Sequence, residues 1–171
     1  AMGNQTTTTR VGFAEPGDGY VIQIDQPLGV STAMTHDALG NLLTATQGDT
    51  SLSFTQTWAY DNQYRLCAHT TPETGTKRFE YDAADQLVAY AEGLTGSTCA
   101  SLPSAKIQLG YDLLGRNTST NFPGTTADIS ISYDANGNVI SVNRQGVNWT
   151  YSYNSLGLLT QELLQLDGRS Y

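Results

Sequence analysis

Tyrosine is followed directly by aspartate at Tyr60-Asp61, Tyr81-Asp82, Tyr111-Asp112 and Tyr133-Asp134, with His36-Asp37 and Tyr153-Asn154 as variants. A phenol beside a carboxylate can pass protons, so these pairs could do acid–base chemistry. Their number argues against it. Catalysis needs one such set, and here the pair returns with starts spaced 24, 21, 30, 22 and 20 residues apart. Asp134-Ala135-Asn136-Gly137-Asn138 loosely resembles the opening of a calcium loop, but Gln145 stands at the twelfth position, where such a loop needs Glu. Cys67 and Cys99 are the only cysteines and match no zinc or redox spacing. A disulfide between them and two free thiols both stay open. His36 replaces a repeat Tyr and His69 follows a return strand, neither with a Ser, Cys or carboxylate arrangement suited to catalysis. No Gly-rich phosphate loop or nucleophile elbow occurs. The expectation is therefore no catalytic residue, no cofactor site and no metal ligand. Trp58, Trp149 and the repeat tyrosines could stack on sugar rings, although aromatics at strand parity more often form core.

The recurring unit is a turn. Asp at its first position can accept a hydrogen bond from a backbone N–H two residues on. Gly at its fourth position, as at Gly40, Gly115, Gly137 and Gly157, suits a type I turn closed by a left-handed residue. Asp85 takes the Gly position in the Tyr81 copy, and aspartate tolerates positive φ. Tyr64 takes it in the Tyr60 copy, where a bulky residue is strained, so a different turn is expected there. Tyr60, Asp61, Tyr81, Asp82, Tyr111, Asp112, Gly115, Tyr133, Asp134, Gly137, Tyr153 and Gly157 are thus assigned structural roles in the repeat.

Strands must lead into and out of each turn. Trp149, Tyr151 and Tyr153 share one face, as do Ile129, Ile131 and Tyr133, and Ile107, Leu109 and Tyr111. Phe79 pairs with Tyr81, and Trp58 with Tyr60. This period-2 patterning indicates half-buried antiparallel strands. The return strands are expected to begin at Leu42, Leu66, Leu87, Val139 and Leu159, with Asn117 out of pattern. Asn143-Arg144-Gln145-Gly146, Gln165-Leu166-Asp167-Gly168 and the longer Asn121–Thr125 stretch supply reversals at the far ends. Short connections make neighbours antiparallel, so the fold class is all-β: a twisted antiparallel meander of tandem hairpins. The spacing of 30 after Tyr81 holds an insertion, assigned to a loop over 93–104.

Residues 34–171 form the array, with motifs starting at His36, Tyr60, Tyr81, Tyr111, Tyr133 and Tyr153. Residues 1–33 read as a polar N-terminal end with a cloning remnant at Ala1-Met2-Gly3, a mobile Thr-rich run over 4–9, a turn at Pro16–Gly19, a strand over Tyr20–Ile24 and a degenerate repeat at most. Both ends look cut from a longer chain. Charged residues are only 14% of the 171, and the net charge is −8 without a Lys/Arg cluster. Nucleic acid and anionic membrane surfaces are therefore poor partners. No apolar run approaches 18 residues, so no membrane span is expected.

Tyr-Asp-x-x-Gly-Arg/Asn at this period resembles the YD repeats of the RHS family, shared by bacterial toxin shells, insecticidal toxin complexes and teneurin adhesion proteins. The resemblance covers roughly Met34 onward. It implies a curled or spiralling sheet, one segment of a β-shell, with a structural role in enclosing a toxin or other C-terminal cargo. The implied partners are neighbouring repeats of a parent protein and the enclosed C-terminal domain. The Pro-rich, Asp-containing signature that ends such shells and cleaves itself has no counterpart here, so no enzyme activity is implied. The alternative is a carbohydrate-binding or cell-surface adhesion module using exposed repeat aromatics, with glycan as ligand. Either implies a secreted or cell-surface parent, and an exported chain would permit the disulfide. The open sheet edges and the aromatic face point to self-association or to closure into a roll.

Overall fold

Alternating polar and apolar residues over short runs, broken by Asp and Gly, produce strands and turns throughout. The computed structural model describes residues 5–10, 12 and 19–166, with the backbone of 169–170. The strands are β1 Thr7–Arg10, β2 Val21–Asp25, β3 Ser31–His36, β4 Leu42–Gly48, β5 Ser53–Tyr60, β6 Leu66–Thr71, β7 Gly75–Tyr81 and β8 Leu87–Leu94. They continue with β9 Ile107–Tyr111, β10 Asn117–Asn121, β11 Ile129–Tyr133, β12 Val139–Arg144, β13 Val147–Tyr153, β14 Leu159–Leu166 and β15 Arg169–Ser170. Sheet order follows chain order from β1 to β15. The fold is an all-β antiparallel meander. The order is linear.

Two compact units share these strands, Ala1–Arg78 with Glu92–Ser101, and Phe79–Ala91 with Leu102–Tyr171. In the first, β3 pairs with β4 and β5 with β6 across motif turns, and β4 with β5 and β6 with β7 at the far ends. In the second, motif turns join β9 to β10, β11 to β12 and β13 to β14. Ala89 and Tyr90 of β8 pair there with Gln108 and Ile107.

All six turns share one geometry. The N–H of the first turn residue donates to the carbonyl four residues on at 2.9–3.0 Å, from Asp37 to Asn41 through Asn154 to Leu158. The fourth residue donates back to the first at 2.9–3.3 Å. Gly40, Gly115, Gly137 and Gly157 hold φ of 91°, 77°, 91° and 75°. This is a type I turn followed by a left-handed residue. The register skips one residue beyond five of the turns, as between Ser132↔Ser141 and Tyr133↔Val139, leaving Ile140 as a bulge. Leu43, Cys67, Thr118 and Thr160 fill the equivalent slots.

Two local expectations are corrected. Tyr64 does not force another turn: its φ is 62° and its hydrogen bonds match those of the glycine copies. A left-handed non-glycine costs about 1–2 kcal/mol. Here the Asp61 carboxylate offsets it by accepting from Gln63 N, Arg65 N and Arg65 Nε. Thr7–Thr9, expected within a mobile run, join Arg10 as β1 by pairing with β2 from Thr7↔Asp25 to Arg10↔Val21. Pairing supplied what the Thr run lacked in pattern.

Elsewhere, Asn117 starts β10 at the same place as its counterparts start the other return strands, although it is polar where they are apolar. Gln145 and Gly146, at φ 46° and 79°, make the two-residue reversal between β12 and β13 that primed turns favour. Gly93 and Leu94, expected in the inserted loop, extend β8, and irregular chain follows from 95. The expected turn at Pro16–Gly19 lies largely outside the described residues, as do Asp167 and Gly168 of the last expected reversal.

Among the described residues few side chains are fully buried, and those are small: Cys67, Ala68 and Thr76 in the first unit, Ala89 and Ala91 in the second. The strand aromatics are half-buried, Trp58 and Tyr60 in the first unit and Phe79, Tyr81, Tyr111, Tyr133, Trp149, Tyr151 and Tyr153 in the second. Stability therefore leans on hydrogen-bonded turns more than on a dense core.

Replacing Gly137 tests the turn. An added Cβ would find Arg116 Nη1 no nearer than 3.7 Å, so space is not the obstacle. Gly137→Val should destabilise the chain by about 1–3 kcal/mol through backbone strain alone. Denaturant unfolding would show it, and a neutral outcome would refute the left-handed assignment.

Candidate functional site

The carboxylate that opens each turn is occupied by that turn. Oδ1 of Asp37, Asp61, Asp82, Asp112 and Asp134 accepts the N–H groups two and four residues on, at 2.8–3.0 Å. Asn154 does the same with its amide oxygen, at 3.0 Å to Leu156 and Leu158. In four copies the fifth turn residue adds a side-chain bond to Oδ2: Asn41 at 2.8 Å, Arg65 at 2.8 Å, Arg116 at 2.7 Å and Asn138 at 2.9 Å.

Those donors hold the acids ionised. The Asn41 side-chain amide is the main cause that lowers Asp37, and the Asn138 amide does the same for Asp134. The Arg116 backbone N–H leads for Asp112. At Asp61 partial burial works against ionisation, and the Arg65 N–H and guanidinium outweigh it. A carboxylate kept charged and saturated by its own turn is a poor proton carrier.

The tyrosines join one repeat to the next. Tyr60 Oη donates to Leu42 O at 3.0 Å, Tyr111 Oη to Leu87 O at 2.8 Å, Tyr133 Oη to Asn117 O at 2.8 Å and Tyr153 Oη to Val139 O at 2.9 Å. Each acceptor is the first residue of the preceding repeat's return strand, and Leu42, Asn117 and Val139 stand directly beside a bulge. Burial, and then the charge of Asp37, raises the Tyr60 pKa, so its hydroxyl stays protonated. Arg116 strengthens a joint twice more: its guanidinium lies 4.5 Å from the centre of the Tyr133 ring and donates to Asp134 O at 3.3 Å. Gln86 packs so close to the next turn that a Cβ on Gly115 would come within 3.0 Å of its Nε2. Tyr81 ends β7 in the equivalent position and is half-buried. His36, in the tyrosine slot of the earliest copy, stacks on Tyr20 at 5.2 Å.

The remaining candidates do not converge on one place. Trp58 stacks on His69 at 4.9 Å, which occupies one face of the indole, and His69 Nε2 meets Gln56 Oε1 at 3.0 Å. A shallow depression of about 380 Å³ is lined by His69, Thr71, Thr74, Lys77, Glu92 and Gly93, with Lys77 and Glu92 paired at 2.6 Å. Trp149 sits in β13 between Val142 and Leu164. Among the described residues no three His, Cys, Asp or Glu side chains gather as a metal set. Cys67 and Cys99 are joined as a disulfide, their Cα atoms 5.3 Å apart.

Reading the sequence missed two functional groups: the tyrosine hydroxyl and the side chain at the fifth turn position. The signal was present within the chain. Five copies use Tyr where Phe would fill the same apolar slot, and Asn, Arg or Gln fills the fifth position in five copies of six.

Tyr133→Phe keeps the ring and removes only the bond to Asn117 O. The expected loss is about 0.5–1.5 kcal/mol by denaturant unfolding, and full stability would remove the joint from the account. Acid should act through the turns. Their folded pKa lies below the unfolded value of about 3.9, so the contribution is present above that pH and lost as pH falls through the folded pKa. Thermal stability should hold to about pH 5 and decline below about 4. The double variant Asp37→Asn, Asp134→Asn should flatten that decline, since Asn154 already opens a turn as an amide. An unchanged acid limb would count against it.

An RHS repeat model matches residues 133–169, the stretch that holds the last two motifs. No curated protein matches the chain in sequence. Among solved structures it is similar to a chain in a crystal structure of TcdB2-TccC3, with TM-score 0.65 and 15% identity over 93% of this chain. A chain in the TcdB2-TccC3-Cdc42 structure gives TM-score 0.53 and 17% identity over 92%. At such identity the likeness is one of fold. The chain spans 10% of the length of each of those solved chains. The repeat matched at residues 133–169 thus carries a turn that recurs along the chain from Asp37 to Leu158.

Proposed function

We propose that this chain is a non-catalytic wall segment of an RHS/YD-repeat β-shell that encloses a downstream cargo. The observation that carries the reading is the joint. The motif's hydroxyls and carboxylates are committed to holding turns and neighbouring repeats, so they serve to extend a sheet and not to act on a substrate. The fold likeness to TcdB2-TccC3 chains supports the same reading, as does a match that spans a small part of them.

Its partners are then further strands of the same kind and the enclosed domain. β1 is exposed along its length, and an edge of this sort accepts another strand, from a neighbouring repeat or a second copy. Among the described residues no helix is long and apolar enough to cross a membrane. The disulfide fits an exported, secreted or cell-surface setting. The glycan alternative draws less support, because Trp58 already has one ring face on His69.

Limited proteolysis of the natural polypeptide that bears the array tests the proposal. The downstream domain should resist protease while the array is folded and become cleavable once the array unfolds. Digestion at equal rates in both states would overturn the enclosing role. Specific binding of this chain on a glycan array would favour the adhesion module instead.

A further inference from the structure

The insertion after β8 is held by two devices on the first unit. Arg78 of β7 donates from Nε to Thr98 O at 3.0 Å, and from Nη2 to Thr95 O at 2.6 Å and Gly96 O at 3.1 Å. The second device is the Cys67–Cys99 disulfide. Its two ends differ. Cys67 fills the bulge slot of the β5–β6 hairpin and is 6% exposed, beside the fully buried Ala68. Cys99 lies in irregular chain, and every residue from 95 to 101 is exposed.

We propose that this disulfide is an exchangeable clasp: an external thiol attacks it at Cys99, and reduction loosens the strap 95–101, still tethered by Arg78, while the hairpins stay folded. Attack is directed to Cys99 because that residue is exposed and Cys67 is buried. A thiolate bonds to the Cys99 sulfur, the S–S bond breaks, and Cys67 leaves as a thiolate that takes a proton from water. A second thiolate attacks the added sulfur, releasing Cys99 and forming the external disulfide. The two electrons come from the two external thiols. The dithiol state is provided for: Cys67 Sγ lies 3.2 Å from Ala59 O and Cys99 Sγ 3.3 Å from Tyr60 O, so each thiol has an acceptor in place. Arg78 keeps the strap near enough for the bond to re-form. The clasp is closed in oxidising surroundings and opened by a thiol pool such as glutathione. It does not depend on the shell reading.

The test uses the whole chain, oxidised or held in dithiothreitol, exposed to a broad-specificity protease. Cleavage within 95–101 should accelerate about ten-fold on reduction, as expected for local opening, with the hairpins around Asp112, Asp134 and Asn154 uncut. Cys99→Ser should reproduce that rate without reductant, and oxidised glutathione should restore protection to the wild type. Brief treatment with glutathione should leave its adduct on Cys99. An unchanged cleavage rate, cutting spread through the hairpins, or an adduct on Cys67 would each overturn the proposal. If Cys99→Ser does not fold, the disulfide is a staple of the fold and the proposal fails.

Discussion

A tyrosine hydroxyl donating to a carbonyl beside a β-bulge is the contact on which the rest of this structure depends. A hairpin by itself is marginal in water, and a meander of hairpins needs something that fixes each to the one before. Ladder hydrogen bonds cannot supply register, because a strand can slip along its neighbour by two residues and keep its faces. The bulge removes that freedom. Beside it stands one carbonyl, and the next repeat carries the one side chain that is aromatic for the face and hydroxylated for that acceptor. Tyr60, Tyr133 and Tyr153 each find it, and Tyr111 finds the equivalent carbonyl of Leu87.

The turn and the joint support each other. The Asp carboxylate gathers two to four donors, from Asp82 to Asp112, and so fixes the fifth residue, whose carbonyl receives the turn-closing bond. Where that fifth residue is Arg116, the side chain that neutralises Asp112 also lies over the ring of Tyr133. Such economy matters where, among the described residues, the fully buried side chains are alanine, cysteine and threonine. Large apolar groups are only half-covered, so polar contacts of defined direction carry specificity that a packed interior provides elsewhere.

What the sequence displayed was the chemistry that acts within five residues. Gly40, Gly115, Gly137 and Gly157 could be placed in left-handed backbone, and the return strands located, because Asp-x-x-Gly is a local code. Tyr64 defeated the same logic: its strain was visible, but the bonds that offset it were not. The hydroxyl joints were hidden because each acceptor lies 14 to 24 residues away in sequence. β1 was hidden because its order comes from β2 rather than from any alternation of its own. The cysteine pairing stayed open since it depends on the path of an irregular segment.

The motif starts are unevenly spaced, by 20 to 30 residues, while all six turns are alike. Every difference in length is therefore absorbed at the opposite ends of the hairpins, from the two-residue reversal at Gln145-Gly146 to the long segment after β8. This division makes the chain a natural display scaffold. Foreign peptides grafted between β12 and β13, or between β10 and β11, would sit at hairpin ends where no inter-repeat hydroxyl bond is made. A graft of equal length in a motif turn would break a joint with the following repeat.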